Sequence, residues 1–74
     1  MAVHWQDRIV SSPDVLRGKP RVRNTRIPAA LVLGYLAAGS TCETILREFP
    51  DLTADDISAC LDYARHLADF ETAA

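Results

Sequence analysis

The sequence predicts a mainly α-helical domain in which three helices form a helix-turn-helix bundle, preceded by a short N-terminal β arm or hairpin. Three observations indicate this class. Short β-prone stretches separated by turn residues occupy positions 1–26, and apolar residues recur at helical spacing from position 29 onward. A proline and a tight turn at 50–52 then separate a short second helix from a longer third one. A chain of 74 residues forms one domain with a thin core.

The N-terminal arm, residues 1–26, has the pattern of short strands joined by turns. Ile9 and Val10 are β-prone, and residues 21–23 alternate charged and apolar side chains as a half-exposed strand does. Asn24 is expected to close a turn, because asparagine tolerates a left-handed backbone conformation. An isolated hairpin is only marginally stable in water. We therefore expect the arm to pack on the helices or on a second subunit.

The three-helix bundle is predicted over residues 27–70, with a short tail at 71–74. The first helix runs from Ala29 to about Ala38, with Pro28 in its first turn and Gly39 as its C-terminal stop. The second helix opens with a capping box, in which Ser40 stands three residues before a glutamate, and it ends at a proline. Thr53 is predicted to cap the third helix, which extends to about residue 70.

The third helix carries two apolar stripes. A core stripe at spacings of three and four comprises Ile57, Cys60, Leu61, Ala64, Leu67 and Ala68. A second stripe on nearly the opposite side comprises Ala59, Tyr63, His66 and Phe70. Exposed aromatic residues at this spacing suggest a contact surface between molecules. The alternative is that the N-terminal segment, with Trp5 and Ile9, folds back over this stripe.

The net charge of −2 hides a strong asymmetry along the chain. Residues 1–38 contain six cations and two carboxylates, a net charge of +4, whereas residues 39–74 contain two cations and eight carboxylates, a net charge of −6. The third helix therefore suits DNA poorly, since phosphates repel its aspartates. The basic arm is the better candidate, and a two-stranded ribbon formed with a second subunit could enter a groove. The candidate DNA contacts are Lys19, Arg21, Arg23, Arg26 and Arg65.

Other classes of function find little support in the composition. The longest strongly apolar stretch, residues 27–38, is 12 residues long and interrupted by proline and glycine, too short to span a bilayer. With no signal-peptide pattern either, we expect a cytoplasmic protein with reduced cysteines and no membrane partner. No nucleophile stands at a recognisable spacing from His4 or His66, and neither cysteine has another Cys or His at metal-ligand spacing. We expect no enzymatic activity, catalytic residue, metal or cofactor.

One run of residues carries a family resemblance. The segment Gly-Lys-Pro-Arg-Val-Arg-Asn-Thr-Arg-Ile-Pro at 18–28 resembles the signature of the small bacterial family known as domain of unknown function 433. Later elements agree, namely Gly39-Ser40, Phe49-Pro50, Leu52-Thr53, Asp56-Ile57 and Tyr63-Ala64. The departure is Asn24, where the family usually has glycine. Asparagine is the commonest substitute for glycine at a positive φ, so the turn is expected to persist.

The resemblance implies a homeodomain-like three-helix domain behind a β arm. It also implies an antitoxin of a type II toxin–antitoxin pair, similar in role to the VapB class. Such an antitoxin binds and neutralises a PIN-like ribonuclease toxin and represses its own operon by binding operator DNA, as a homodimer or a higher homo-oligomer. Two alternatives stay open: a stand-alone DNA-binding transcriptional regulator, and a structural or adaptor dimer that does not bind DNA.

Overall fold

The fold is a three-helix bundle with a two-stranded antiparallel hairpin packed against it, as the sequence predicts. The computed structural model describes the backbone of residues 3–72 and the side chains of residues 3–69. In chain order, the elements are a 3-10 turn at Trp5–Asp7, strand β1 at Ile9–Val10, a second 3-10 turn at Leu16–Gly18, strand β2 at Arg21–Val22, and helices α1 at Ala29–Ala37, α2 at Cys42–Glu48 and α3 at Ala54–Thr72. None of the helices within residues 3–72 has both the length and the apolar character needed to cross a membrane.

The hairpin belongs to the core of the domain. Strands β1 and β2 pair antiparallel with Ile9 opposite Val22, and both of these side chains are buried. The Ala29 N–H donates to the Pro20 carbonyl at 3.0 Å, which ties the end of the hairpin to the start of α1. Of the two expected supports for the arm, its own helices or a second subunit, the structure shows packing on its own helices. The physical reason is that two short strands bury too little apolar surface to be stable alone.

The turn before β2 has an unusual backbone conformation that the sequence did not reveal. Leu16, Arg17 and Gly18 are all left-handed, with φ values of 51°, 55° and 80°. Only the glycine adopts this region without a steric penalty from a Cβ atom. Asn24 also has a positive φ, of 64°, as predicted for the following turn.

The centre of the core is formed by one or two side chains from each helix. Val32 of α1, Ile45 of α2, and Ile57 and Cys60 of α3 are all fully buried. Leu52 in the turn between α2 and α3 closes the same cluster. The predicted core stripe of α3 is therefore correct over its first turns.

The rest of that stripe is uncovered. Leu61 is 49 % exposed and Leu67 is 45 % exposed, and Ala68 is exposed as well, so the prediction that these three lie in the core is wrong. Leu61 lies about 100° around α3 from Cys60, at the edge of the buried face, whereas Leu67 and Ala68 lie in the last part of a helix that is much longer than α2. Helix α3 has 19 residues, which makes it roughly 28 Å long, whereas α2 has only seven and covers its beginning. The opposite side of α3 is covered instead by the N-terminal segment and β1.

The helix ends are fixed by local hydrogen bonds. At the end of α1, the Gly39 N–H donates to Leu36 and the Ser40 N–H donates to Tyr35, which is a Schellman motif. The Ser40 N–H is therefore part of the C-terminal end of α1. Thr41 rather than Ser40 caps α2, with its hydroxyl oxygen accepting from the Thr44 N–H at 3.2 Å, so the predicted capping box is wrong by one residue.

Gly39→Ala is expected to lower the free energy of unfolding by about 1 kcal/mol or more, because φ at this position is +95° and a Cβ atom is unfavourable there. Gly34→Ala is the matched control. Gly34 lies inside α1 with open space around it, so alanine is expected to raise the stability by up to about 1 kcal/mol. Urea unfolding followed by circular dichroism measures both changes. Equal effects of the two substitutions would contradict the assignment of Gly39 as the helix stop.

Candidate nucleic-acid interface

The exposed positive charge of the molecule is concentrated on the loops around the hairpin. The hairpin cations, as we name them, are Arg17, Lys19, Arg23 and Arg26. Within the described part of the chain, none of the four forms an ion pair with a carboxylate. Binding to nucleic acid depends on lysine and arginine side chains that can neutralise phosphates. These four side chains are available for that role without first breaking an ion pair.

Arg21 does not share this surface. Its guanidinium donates to the Ser12 Oγ at 3.1 Å and to the Thr25 carbonyl at 3.3 Å, and its Nε is buried without a described hydrogen-bond partner. The prediction that Arg21 and Arg23 alternate onto one exposed face is therefore wrong. Strand β2 ends at Val22, so Arg23 already belongs to the turn and the two-residue repeat of a strand no longer applies. Arg21 holds the loops of the hairpin together.

Arg65 is compensated by two carboxylates on its own helix. Its Nε lies 3.0 Å from Asp62 and its NH1 lies 2.6 Å from Asp69. A hydrogen bond from the Trp5 backbone N–H lowers the pKa of Asp62, and the Arg65 hydrogen bond lowers it further. The hydrogen bond to Asp62 and the negative charge of Asp62, with a further contribution from Asp69, raise the pKa of Arg65 above its ordinary value. The exposed face of α3 is thus net negative, which favours the hairpin loops over α3 as the surface for an anionic partner.

The N-terminal segment folds back over the second stripe of α3. The Trp5 ring lies 5.0 Å from Tyr63 in an edge-to-face arrangement and 5.2 Å from His66. Two alternatives were open for this stripe, an intermolecular contact and coverage by the N-terminal segment, and this packing is the second, intramolecular one. Ala59 is buried within the same molecule, so its prediction as an intermolecular contact is wrong, whereas the burial of Ile9 agrees with the fold-back alternative. The side chain of Phe70, also predicted on this surface, lies outside the described side chains.

A buried carboxylate organises the junction between the N-terminal segment and α3, and the sequence analysis missed it. Asp56 is only 7 % exposed and accepts a hydrogen bond from Arg8 at 3.0 Å. Its other oxygen accepts from the Thr53 N–H at 2.9 Å, while the Asp56 N–H donates to the Thr53 hydroxyl at 3.2 Å. Thr53 therefore caps α3 as predicted. The sequence feature that indicates the role of Asp56 is a carboxylate three residues after a threonine, which is a capping box with aspartate in place of glutamate.

This junction lines a polar cleft of about 600 Å³ next to the Asn24 turn. Asp7, Asp51 and Asp56 face Arg8 and Arg23 across it. With both signs of charge present, the cleft has no strong preference for a small anion or cation. Arg23 lies at this cleft and belongs also to the exposed hairpin cations.

The side chains that commonly bind metals in proteins are those of cysteine, histidine, aspartate and glutamate. Within the described residues, no group of three or more His, Cys, Asp or Glu side chains could hold a metal ion. Burial raises the pKa of the Cys60 thiol to about 11, and the negative charge of Asp56 contributes to the increase. Cys60 is therefore a protonated core side chain at neutral pH. Cys42 is exposed and reduced.

Comparison with known proteins shows the family to which the chain belongs. A hairpin packed on a three-helix bundle defines the class as a small helix-turn-helix-like domain. The family described as "Protein of unknown function (DUF433)" matches residues 9–64, and the chain belongs to this family. A DUF433 member from Anabaena variabilis ATCC 29413, for which a crystal structure is known, is 36 % identical in sequence to this chain. It superposes with a TM-score of 0.76 over 93 % of this chain and 71 % of that one.

A curated relative matches over a similar region. The uncharacterized protein y4eO of Sinorhizobium fredii (strain NBRC 101917 / NGR234) is 43 % identical over 56 residues, which cover 76 % of this chain. The match covers 25 % of that protein, so this chain corresponds to about a quarter of its relative's length. The resemblance of residues 18–28 to the family signature is thereby confirmed.

Proposed function

We propose that the chain is the antitoxin-like component of a type II toxin–antitoxin pair. It acts in the cytoplasm by binding, without catalysis, to neutralise a PIN-like ribonuclease and to repress its own operon. The observation that carries the proposal is the set of four exposed hairpin cations without ion pairs, on a domain whose third helix is net acidic. The antitoxin role itself is taken from what the resemblance of residues 18–28 implies, since the matching family is described only as of unknown function.

Both proposed partners are anionic where they would meet the hairpin. Operator DNA presents phosphates, and a PIN-like ribonuclease has an active site built from metal-binding carboxylates. Exposed arginine side chains suit either target, since guanidinium forms paired hydrogen bonds to phosphate and to carboxylate. Of the predicted contacts, Lys19, Arg23 and Arg26 therefore keep the proposed role, whereas Arg21 and Arg65 have partners within the domain.

Binding to the operon's own promoter tests the DNA part of the proposal. The double variant Arg23→Ala/Arg26→Ala is expected to bind about tenfold or more weakly at moderate salt, with a salt dependence flatter by about two phosphate contacts. Fluorescence anisotropy across a salt series measures both quantities. Arg47→Ala, which removes an exposed cation from α2, is the control and is expected to leave the affinity and its salt dependence unchanged. Unchanged affinity and slope in the double variant would remove the hairpin from the DNA interface.

Co-expression tests the toxin part. The product of the adjacent reading frame is expected to arrest growth when expressed alone, to become harmless together with this chain, and to co-purify with it. A neighbour that is harmless alone and does not co-purify contradicts the antitoxin role. If promoter binding persists in that case, the stand-alone regulator is the correct alternative; if promoter binding is absent as well, the structural or adaptor dimer is.

A further inference from the structure

An apolar cleft of about 330 Å³ lies where the end of the hairpin loop meets α1 and α3. The loop contributes Lys19 and Pro20 to its lining, α1 contributes Ala30 and Leu33, and α3 contributes Leu67. Three parts of the fold therefore surround the cleft. Its volume is at the lower end of the range of about 300 to 1,000 Å³ that is typical of sites for small molecules.

The backbone around the cleft is held in place and has few free polar groups. Pro20 and Pro28 both line the cleft, and proline has a fixed φ and no N–H. The Pro20 carbonyl accepts from the Ala29 N–H at 3.0 Å, and the Pro28 carbonyl accepts from the Leu31 N–H at 3.1 Å. A molecule in the cleft therefore meets mainly apolar side chains.

Lys19 is the one charged residue among those that line the cleft. Its ammonium group forms no ion pair with a carboxylate of the described side chains. The polar cleft beside the Asn24 turn differs in this respect, because charges of both signs line it. An apolar cleft with a single unneutralised cation is complementary to a molecule that has an apolar body and one negative charge.

We propose that this cleft binds a small aliphatic monocarboxylic acid. The carboxylate pairs with Lys19, and the hydrocarbon chain lies between α1 and α3, where it leaves water. A phosphate group suits the cleft less well, because phosphate sites are built from several N–H donors and the two prolines supply none. Neither DNA nor a toxin takes part, and the test uses the purified chain alone, so the inference fails or holds separately from the proposed function.

Isothermal titration calorimetry of the full chain with octanoate tests the proposal. Octanoate is expected to bind about tenfold or more tightly than butanoate, because butanoate has four fewer methylene groups to bury. Octylamine, which has a chain of the same length and the opposite charge, is expected to bind at least about tenfold more weakly than octanoate. An octanoate affinity no higher than that of octylamine, or no binding of octanoate at millimolar concentration, would overturn the proposal.

Filling the cleft tests its location. Ala30→Leu is expected to weaken octanoate binding about tenfold or more, because the larger side chain occupies the cleft. Ala30 is exposed, so the domain is expected to tolerate the change. Ala37→Leu is the matched control, since it enlarges another exposed alanine of α1 that does not line the cleft. Equal effects of the two substitutions would place the binding elsewhere.

Removing the cation tests the assigned role of Lys19. Lys19→Gln is expected to weaken octanoate binding about threefold or more and to leave octylamine binding no weaker than before. Arg47→Gln, which removes an exposed cation from α2, is expected to change neither affinity. The role of Lys19 is contradicted if its substitution leaves octanoate binding unchanged or if the Arg47 variant loses as much.

Methyl NMR of the unaltered chain makes the test independent of variants. The signals of Leu33 and Leu67 are expected to shift when octanoate is added, whereas those of Leu31 and Leu61, which are exposed but do not line the cleft, stay constant. Shifts confined to Leu31 and Leu61 would refute the assigned site. Shifts of Leu33 and Leu67 on simple dilution of the chain without octanoate would show that a second copy occupies the cleft instead.

Discussion

Asp56→Ala is expected to lower the free energy of unfolding by about 2 kcal/mol. The carboxylate accepts hydrogen bonds from the Thr53 N–H and from Arg8, and the substitution removes both acceptors at once. Arg8 keeps its contact with Asp55 and is partly exposed to solvent. The helix cap and a hydrogen bond from a charged donor are lost together, which is why the expected loss exceeds that of a helix cap alone.

Chemical unfolding followed by circular dichroism measures this loss. Asp55→Ala is the matched control, because Asp55 is the neighbouring carboxylate, also lies near Arg8 at 3.5 Å, and is exposed to solvent. We expect that change to stay within about 0.5 kcal/mol, since exposed ion pairs contribute little. Similar losses in the two variants would show that the buried position of Asp56 has no special importance.

Trp5→Ala is expected to lower the stability by about 2 to 3 kcal/mol. The indole packs on Tyr63 and against the exposed His66 of α3, and alanine would uncover the half-buried Tyr63 ring as well as remove the largest side chain of the N-terminal segment. Complete burial of a tryptophan would make the loss larger still, but Trp5 is half-buried. The hydrogen bond from the residue 5 backbone N–H to Asp62 remains possible in the variant.

Thermal unfolding followed by circular dichroism suits this comparison, because the variant has lost the tryptophan that fluorescence would report. Gln6→Ala is the control, since it changes an exposed side chain in the same 3-10 turn and is expected to have little effect. A loss below about 0.5 kcal/mol in the tryptophan variant would mean that the N-terminal segment contributes little to the folded state.

The features that the sequence predicted well depend on neighbouring residues. Gly39 ends α1, Thr53 caps α3 and Asn24 adopts a positive φ because each responds to the backbone within a few positions. The hairpin, in which Ile9 pairs with Val22, was predictable for a related reason, since a hairpin joins strands that are close along the chain. These local rules were sufficient for the fold class.

The errors concern contacts between distant parts of the chain. The periodicity of α3 identifies two apolar sides, but it cannot show that Trp5 covers one of them while Leu61 and Leu67 on the other stay exposed. The inward orientation of Arg21 likewise depends on where β2 ends and on the position of Ser12. For the candidate site, composition correctly located positive charge in the N-terminal half, but only the structure distinguishes exposed cations from those that have partners.

The contact between Trp5 and α3 also has a consequence for how the domain is made. The residue 5 N–H and its acceptor Asp62 are 57 positions apart, and Arg8 reaches Asp56 over 48. During synthesis, Trp5 and Arg8 leave the ribosome before α3 does, and they must therefore remain without these partners until α3 has been translated. The early residues Trp5 and Ile9 are exposed to chaperones and proteases throughout that interval. The domain can complete its folding only after α3 has emerged from the ribosome.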